Sequence, residues 1–126
     1  MTSDEVEQYR SEYEQLVVSN WGSSVQNTDI HQYKIHIKVP FETFASLRSQ
    51  GLDGVPYWVA RKMLRDLIRK GRRSGKVCWL DYKKYINVAI PANDIMNFDR
   101  VILYCFMPDN VVDYLNSSCC HVQIFG

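Results

Sequence analysis

Apolar positions follow a helical period near the start of the chain and a strand-like period shortly afterwards. Between Ser3 and Asn20 they recur at three- and four-residue steps, which is the period of one helix face. From His31 to Val39, apolar and polar residues alternate strictly, which is typical of a half-buried strand. We therefore predict a helix over Ser3–Asn20, a polar loop, and a strand over His31–Val39.

Two helices are predicted to follow this strand. Pro40 ends the strand, and a short apolar stripe over Phe41–Leu47 indicates a helix that stops at Gly51. Pro56 suits the first turn of a second helix, whose apolar positions continue to about Lys70. The two helices are therefore expected to be joined by a tight turn that contains glycine.

The region after the second helix is rich in β-branched and aromatic residues, which favour strands. We predict a hairpin with strands Lys76–Leu80 and Tyr85–Ile90, and one long bent strand is the alternative. The pattern over 93–99 is ambiguous. The rest of the chain is predicted to form a buried strand over Val101–Phe106, a short helix over Pro108–Asn116 and a final strand over His121–Phe125.

This element order indicates a single compact α+β domain over 1–126. The order is α-β-α-α-β-β, followed by β-α-β. The first six elements, over 3–90, resemble the connectivity of a winged-helix module, with the hairpin as the wing, and 91–126 form a β-α-β extension. The resemblance rests on element order alone. The competing topology is a ferredoxin-like split βαβ, in which the strand–helix–strand units at both ends share one sheet.

The composition is that of an ordinary globular protein, with 46% apolar and 23% charged residues among 126. A chain of this length buries enough surface to fold without a metal or a disulfide. Apolar runs such as Val101–Met107 fall well short of the roughly 20 residues that span a bilayer. The acidic start of the chain is unlike a secretory or transit signal. We therefore expect a cytoplasmic or nuclear protein that does not act on membranes.

A near-neutral total charge conceals a strong asymmetry. Residues 1–54 carry four Lys or Arg and eight Asp or Glu, a net charge of −4, and residues 91–126 carry a net charge of −3. Residues 55–90 carry ten Lys or Arg against two acids, a net charge of +8. Because such asymmetry is informative about partners, the middle third is the candidate binding region.

The predicted helix Pro56–Lys70 separates its charged and apolar residues onto two faces. At about 100° per residue, its arginines and Lys62 fall near Trp58 and opposite the apolar positions. Arginine binds phosphate in a bidentate way, and an indole ring can stack on an unpaired base. The candidate nucleic-acid-binding residues are Trp58, Arg61, Lys62, Arg65, Arg69, Lys70, Arg72, Arg73, Lys76, Lys83 and Lys84, with Trp79 as a second stacking residue.

These features predict a non-enzymatic, weakly sequence-specific nucleic-acid-binding protein. In a winged-helix arrangement, the basic helix would enter a major groove while Lys83 and Lys84 contact the backbone. The basic face has no Asn or Gln to pair with adenine, so phosphates and duplex shape are favoured over base edges, and RNA over DNA.

Three alternatives remain open for the basic face, the first of which is a solvated charged surface without a partner. It could dock an acidic protein, which would make the chain a protein-interaction module such as a regulator or inhibitor. It could also be neutralised by the acidic parts of the same chain or by a second copy. A homodimer could form in another way, since a hairpin at a sheet edge can pair with a second copy.

Cysteine and histidine spacing does not match a metal-binding or catalytic motif. Cys119, Cys120 and His121 are adjacent, whereas structural zinc sites use ligand pairs two to four residues apart. Cys78 and Cys105 fall in predicted apolar strands, where thiols are expected to be buried. We therefore predict no metal.

The remaining titratable residues also give no catalytic pattern. His36 is expected to face solvent beside the basic surface, where like charges would disfavour its protonation. A Cys–His nucleophile pair would need a partner that the sequence cannot place. Paired carboxylates and phosphate-binding glycine loops do not occur. We therefore predict no cofactor and no enzymatic activity.

Overall fold

The computed structural model describes residues 31–118 and 120–125, which form an α+β arrangement of a four-stranded antiparallel sheet and four helices. The predicted helix Ser3–Asn20 lies outside the described residues. The strands are β1 His31–Lys38, β2 Val55–Pro56, β3 Ile90–Pro91, β4 Ile95–Met96, β5 Arg100–Met107 and β6 Cys120–Ile124. The helices are α1 Phe41–Ser49, α2 Tyr57–Arg73, α3 Tyr82–Asn87 and α4 Asp109–Asn116.

The main sheet has the strand order β3-β5-β1-β6. β1 is antiparallel to both of its neighbours, so that Ile35 lies opposite Leu103 of β5 and Val122 of β6. β3 pairs antiparallel with the other edge of β5, where Ile90 lies opposite Tyr104. Consequently β1 and β3 run parallel on either side of β5, and β5 and β6 run parallel on either side of β1. The short strands β2 and β4 form a separate pair.

Alternation along β1 decides which face of the sheet is buried. Ile35 and Ile37 are at most 1% exposed, and Leu103 of β5 is fully buried on the same face. Leu64 and Ile68 of α2 belong to the same core. Helix α2 contacts β5, and α4 contacts β6. The apolar face therefore packs under the helices, which leaves the polar positions of β1 on the opposite face.

The boundaries of α2 follow from a proline at its start and a glycine after its end. It begins directly after the proline, as predicted, and ends at Arg73, slightly later than expected. Gly75 has a φ of +76°, which lets the chain reverse, and the amide of Lys76 donates to the carbonyl of Gly71 at 2.9 Å. Gly71 itself lies so close to α4 that a Cβ there would be 2.9 Å from the Tyr114 ring. The end of α2 is thus fixed against α4.

The predicted hairpin is wrong. Tyr82–Asn87 forms the helix α3, the stretch before it has no regular secondary structure, and the predicted second strand pairs in the sheet at Ile90 alone. Tyr82, Tyr85 and Ile86 are spaced as one helix face and all three are buried, so packing of that face outweighs their preference for strands. The wing expected of a winged-helix arrangement is therefore a helix.

The other elements predicted for the described residues are confirmed. β1, α1, β5, α4 and β6 lie where the sequence pattern places them, within one or two residues of the predicted ends. No helix in the described part of the chain is both long enough and apolar enough to cross a bilayer. The α+β class is thus confirmed.

Candidate nucleic-acid interface

The predicted site residues lie on two helices and the segment that joins them. Trp58 to Arg73 belong to α2, Lys76 follows in the turn, and Lys83 and Lys84 lie on α3 rather than on a hairpin. α2 and α3 contact each other. Cations that are well separated in sequence are therefore brought together along this pair of helices.

Arg61 is engaged inside the molecule. Its Nε and Nη2 atoms donate hydrogen bonds to the carbonyl oxygen of Ala89 at 3.1 and 2.8 Å. Its guanidinium carbon lies 4.9 Å from the centroid of the Tyr57 ring. Because Ala89 lies two residues after the end of α3, these bonds hold that end against α2. We therefore assign Arg61 a structural role.

Tyr82 of α3 gathers three cations around one phenol ring. A hydrogen bond from Arg69 is the main reason that the pKa of Tyr82 lies below its ordinary value. The guanidinium carbon of Arg72 lies 5.0 Å from the ring centroid, and Nζ of Lys83 lies 6.0 Å from it. A neutral ring orients cations without cancelling their charge. These three side chains are therefore positioned and still positive.

Carboxylates neutralise little of this charge. Among residues 31–118 and 120–125, the ion pair on these helices joins Nη1 of Arg69 to Oδ1 of Asp66 at 3.7 Å, and both side chains are exposed. Water and salt screen such a pair, so it contributes little. Asp81, the other acid in this region, forms no ion pair with a described residue. Within the described residues, the positive charge of residues 55–90 is thus left largely without carboxylate partners.

Lys62 and Arg65 lie in the middle of α2, and they have neither a partner among the described residues nor a position at the end of the helix. Lys70, Arg72 and Arg73 lie in the last turn of α2, where cations interact favourably with the helix dipole. Lys62 and Arg65 lie too far from that end to benefit. Neither forms an ion pair, a hydrogen bond or a ring contact within the described residues.

Exposed aromatic rings lie beside these two cations. Trp58, one turn before Lys62, is 55% exposed, and the neighbouring Tyr57 is 45% exposed. We use the term helix surface for Trp58, Lys62, Arg65, Arg69, Arg72, Arg73, Lys76, Lys83 and Lys84. Lys70 lies elsewhere, because it lines a groove between α1 and α2 together with Met63.

Two predictions about this region are wrong. Trp79 is fully buried and stacks on Tyr85, with ring centroids 5.6 Å apart, so it cannot stack on a base. Cys78 is exposed rather than buried, because the predicted strand around it does not form, and its amide donates to Oδ1 of Asn110 at 2.8 Å. Cys105 is buried as predicted, and burial raises the pKa of its thiol to about 12.

His36 lies on the polar face of β1, away from α2, so the prediction that it neighbours the basic helix is wrong, whereas its pKa is lowered in the predicted direction. Its pKa is below the ordinary value, first because of desolvation and then because of the positive charges of Lys34 and Arg100 and the neighbouring His121. These neighbours are on the sheet rather than on α2. The alternation of β1 identified Lys34 and His36, but the contribution of β5 and β6 required the strand register.

Neither a search for metal-binding side chains nor a comparison with known proteins adds a guide to function. In the parts of the chain that the structure describes, no three His, Cys, Asp or Glu side chains lie close enough to hold a metal ion. Comparisons with protein-family models, with curated proteins and with solved structures find no match to this chain. The functional inference therefore depends on the charge and geometry of the surfaces themselves.

Proposed function

We propose that this protein binds nucleic acid, RNA in preference to DNA, by capturing phosphates on the helix surface, and that it catalyses no reaction. The observation that carries this proposal is the pair Lys62 and Arg65, two neighbouring cations in the middle of α2 that have no partner among the described residues. Binding phosphates would release counterions from the nucleic acid, and that release would favour the complex.

The surroundings of this pair support the same function. Tyr82 holds three further cations in place, which lowers the entropic cost of ordering them around a phosphate backbone. Trp58 offers an exposed ring that can stack on an unpaired base. Because this surface carries four arginines and four lysines but no Asn or Gln, we infer recognition of backbone and shape with weak sequence preference.

We also favour the ferredoxin-like split βαβ over the winged-helix topology. Numbered by their order in the chain, the four strands of the main sheet lie in the order 2-3-1-4, and every neighbouring pair is antiparallel. This arrangement supports two interleaved strand–helix–strand units. The winged-helix alternative needs a hairpin where α3 lies. The proposed binding function depends on neither assignment.

A matched pair of charge reversals tests the helix surface. Arg65→Glu removes a cation from it, whereas Arg48→Glu makes the same charge change on α1, in an exposed position outside it. Loss of one phosphate contact at about 0.1 M salt should weaken binding to a short RNA duplex about eightfold or more, and adding Lys62→Glu should extend the loss to roughly 60-fold. Arg48→Glu should change binding less than about twofold.

The outcomes of this experiment separate the alternatives. Equal effects of Arg65→Glu and Arg48→Glu would contradict the proposal, as would failure of the unaltered protein to bind any RNA or DNA at low salt. In that second case, an acidic protein becomes the better candidate partner, since Tyr57, Trp58 and Ile95 form exposed apolar positions close to the cations. Unfolding curves of all variants would exclude loss of structure as the cause.

A further inference from the structure

A second group of cations and rings lies on the face of the sheet opposite the core. Strand register places Lys38 opposite Arg100 of β5, and His36 opposite His121 of β6. Two residues earlier on β1, Lys34 lies opposite Tyr104. We use the term sheet surface for Lys34, His36, Lys38, Arg100, Tyr104 and His121.

At the end of the sheet surface where Lys38 meets Arg100 lies a depression with the dimensions of a ligand site. Its volume is about 470 Å³, within the range of ligand-binding clefts. The His36 and His121 rings lie 5.9 Å apart, and Nη1 of Arg100 lies 3.5 Å from Nδ1 of His36. Lys38 and Asp99 also line it, so Asp99 is the one acid among its described lining residues.

This arrangement of charge has a cost for the free protein. Like charges directly opposite each other on neighbouring strands are destabilising, and Lys38 faces Arg100 in that way. The pKa of His36 is lowered first by desolvation and then by the positive charges of Lys34 and Arg100. A bound anion would offset both effects.

Building on the proposed function, we propose that a single-stranded segment of RNA lies across the sheet surface, with a phosphate in the depression beside Arg100 and a base on the Tyr104 ring. A flat sheet face suits splayed bases, whereas a duplex presents its phosphates along grooves that a helix follows more readily. The ring of Tyr104 is supported by Phe125, with centroids 4.6 Å apart.

Lys38 connects this surface to the helices. It lines the depression on the sheet, and it also lines the groove between α1 and α2 that Lys70 lines. A strand that leaves the sheet surface at Lys38 therefore meets further positive charge at Lys70. The inferred path gives one strand contact with both sides of the molecule.

The test compares one oligouridine with an RNA duplex of equal length, using Arg100→Glu on the sheet, Arg65→Glu on α2 and Arg48→Glu as the control. Arg100→Glu should weaken oligouridine binding about fivefold or more, because the association constant of a single strand falls by about 0.7 of a logarithmic unit per phosphate contact for each tenfold rise in salt. Duplex binding should weaken less than twofold. Arg65→Glu should weaken both. Should Arg100→Glu fail to fold, Lys34→Gln is the replacement.

Magnetic resonance of the imidazoles gives a readout that does not depend on affinity. Oligouridine should raise the pKa of His36, since a phosphate favours the charged ring. Among the described residues, Lys34, Arg100 and His121 oppose charging, and Lys38, Asp99 and Cys120 line the same depression. Tyr104→Leu should lower affinity for oligouridine while it leaves this pKa rise in place.

Each failure has a distinct meaning. If Arg100→Glu and Arg48→Glu affect oligouridine equally, or the pKa of His36 does not respond, the inference is overturned while the helix surface can still bind duplex. If Arg65→Glu has no effect on either RNA, the proposed function fails instead. A change of sedimentation on Arg100→Glu without loss of oligouridine binding would assign this face to contact between copies of the chain and overturn the inference.

Discussion

The helix surface and the sheet surface hold positive charge by different means. On the helices, cations are oriented by neutral partners, because Tyr82 contacts Arg69, Arg72 and Lys83. On the sheet, strand register alone places cations and rings at fixed spacing, so that Lys38 faces Arg100. The first arrangement is ordered before any ligand binds. The second concentrates like charges that an anion would relieve.

From this difference we infer how each surface would discriminate between duplex and single-stranded nucleic acid. A helix carrying cations at three- and four-residue steps follows the phosphates of a groove, and it needs no unpaired base. A sheet face with cations two residues apart and interleaved rings suits a strand whose bases are exposed. The two surfaces therefore predict separable preferences for duplex and single-stranded RNA.

Among the variants that compare the two surfaces, the largest expected effect comes from removing one cation from each surface at once. If one strand of RNA contacts both, the losses from Arg65→Glu and Arg100→Glu should multiply, and oligouridine affinity at about 0.1 M salt should fall roughly 25-fold or more. Fluorescence anisotropy with labelled oligouridine would measure this. A double variant no weaker than its weaker single parent would show that one strand does not use both surfaces.

Truncation of the structural arginine, Arg61, should lower the free energy of unfolding much more than truncation of the proposed binding arginine, Arg65. Arg61→Ala removes two hydrogen bonds to Ala89 and should lower the free energy of unfolding by about 2 kcal/mol. Arg65→Ala should change it by less than about 0.5 kcal/mol, because Arg65 has no partner among the described residues. Urea unfolding of both variants is the measurement. Equal stability losses would remove the distinction between these arginines.

A smaller effect tests the positioning of cations by Tyr82. The hydrogen bond from Arg69 holds the pKa of Tyr82 below its usual 10.0, so Arg69→Gln should raise it. Resonances of ring-labelled tyrosine followed through a pH titration would report the shift. No change in the pKa would mean that Arg69 does not act on the phenol, and the helix surface would then be less ordered than described.

The smallest expected effect is a dependence of stability on the charge of His36. Folding lowers the pKa of His36 below 6.5, so the folded state favours the neutral ring. Stability from this source is present above pH 6.5 and is lost as the pH falls through and below that value. His36→Gln should therefore flatten the loss of stability on acidification. An identical pH profile for both proteins would contradict the burial and charge described for this ring.

The sequence predicted those strands and helices in which the spacing of apolar residues matches the face that is buried. Strict alternation predicted β1, and Pro56 with the apolar period predicted α2. The hairpin failed because Tyr82, Tyr85 and Ile86 combine strand-favouring side chains with helical spacing, and contact with α2 and β5 decides between them. That spacing was the available signal for α3.

The candidate sites divide in the same way. Charge asymmetry and helical period predicted the helix surface, since its residues are close in sequence. They could not separate Arg61 from Arg65, because the difference lies in the carbonyl of Ala89, which is distant in sequence. The sheet surface depends on register, since Lys38 and Arg100 are brought together only by the pairing of β1 with β5.

The salt dependence of binding to duplex RNA tests the role of the helix surface most directly. The logarithm of the association constant should fall linearly with the logarithm of salt concentration, with a slope of several units for the unaltered protein. Arg65→Gln should reduce the magnitude of that slope by about one unit. Binding that does not respond to salt, or a slope that Arg65→Gln leaves unchanged, would show that these cations do not capture phosphates.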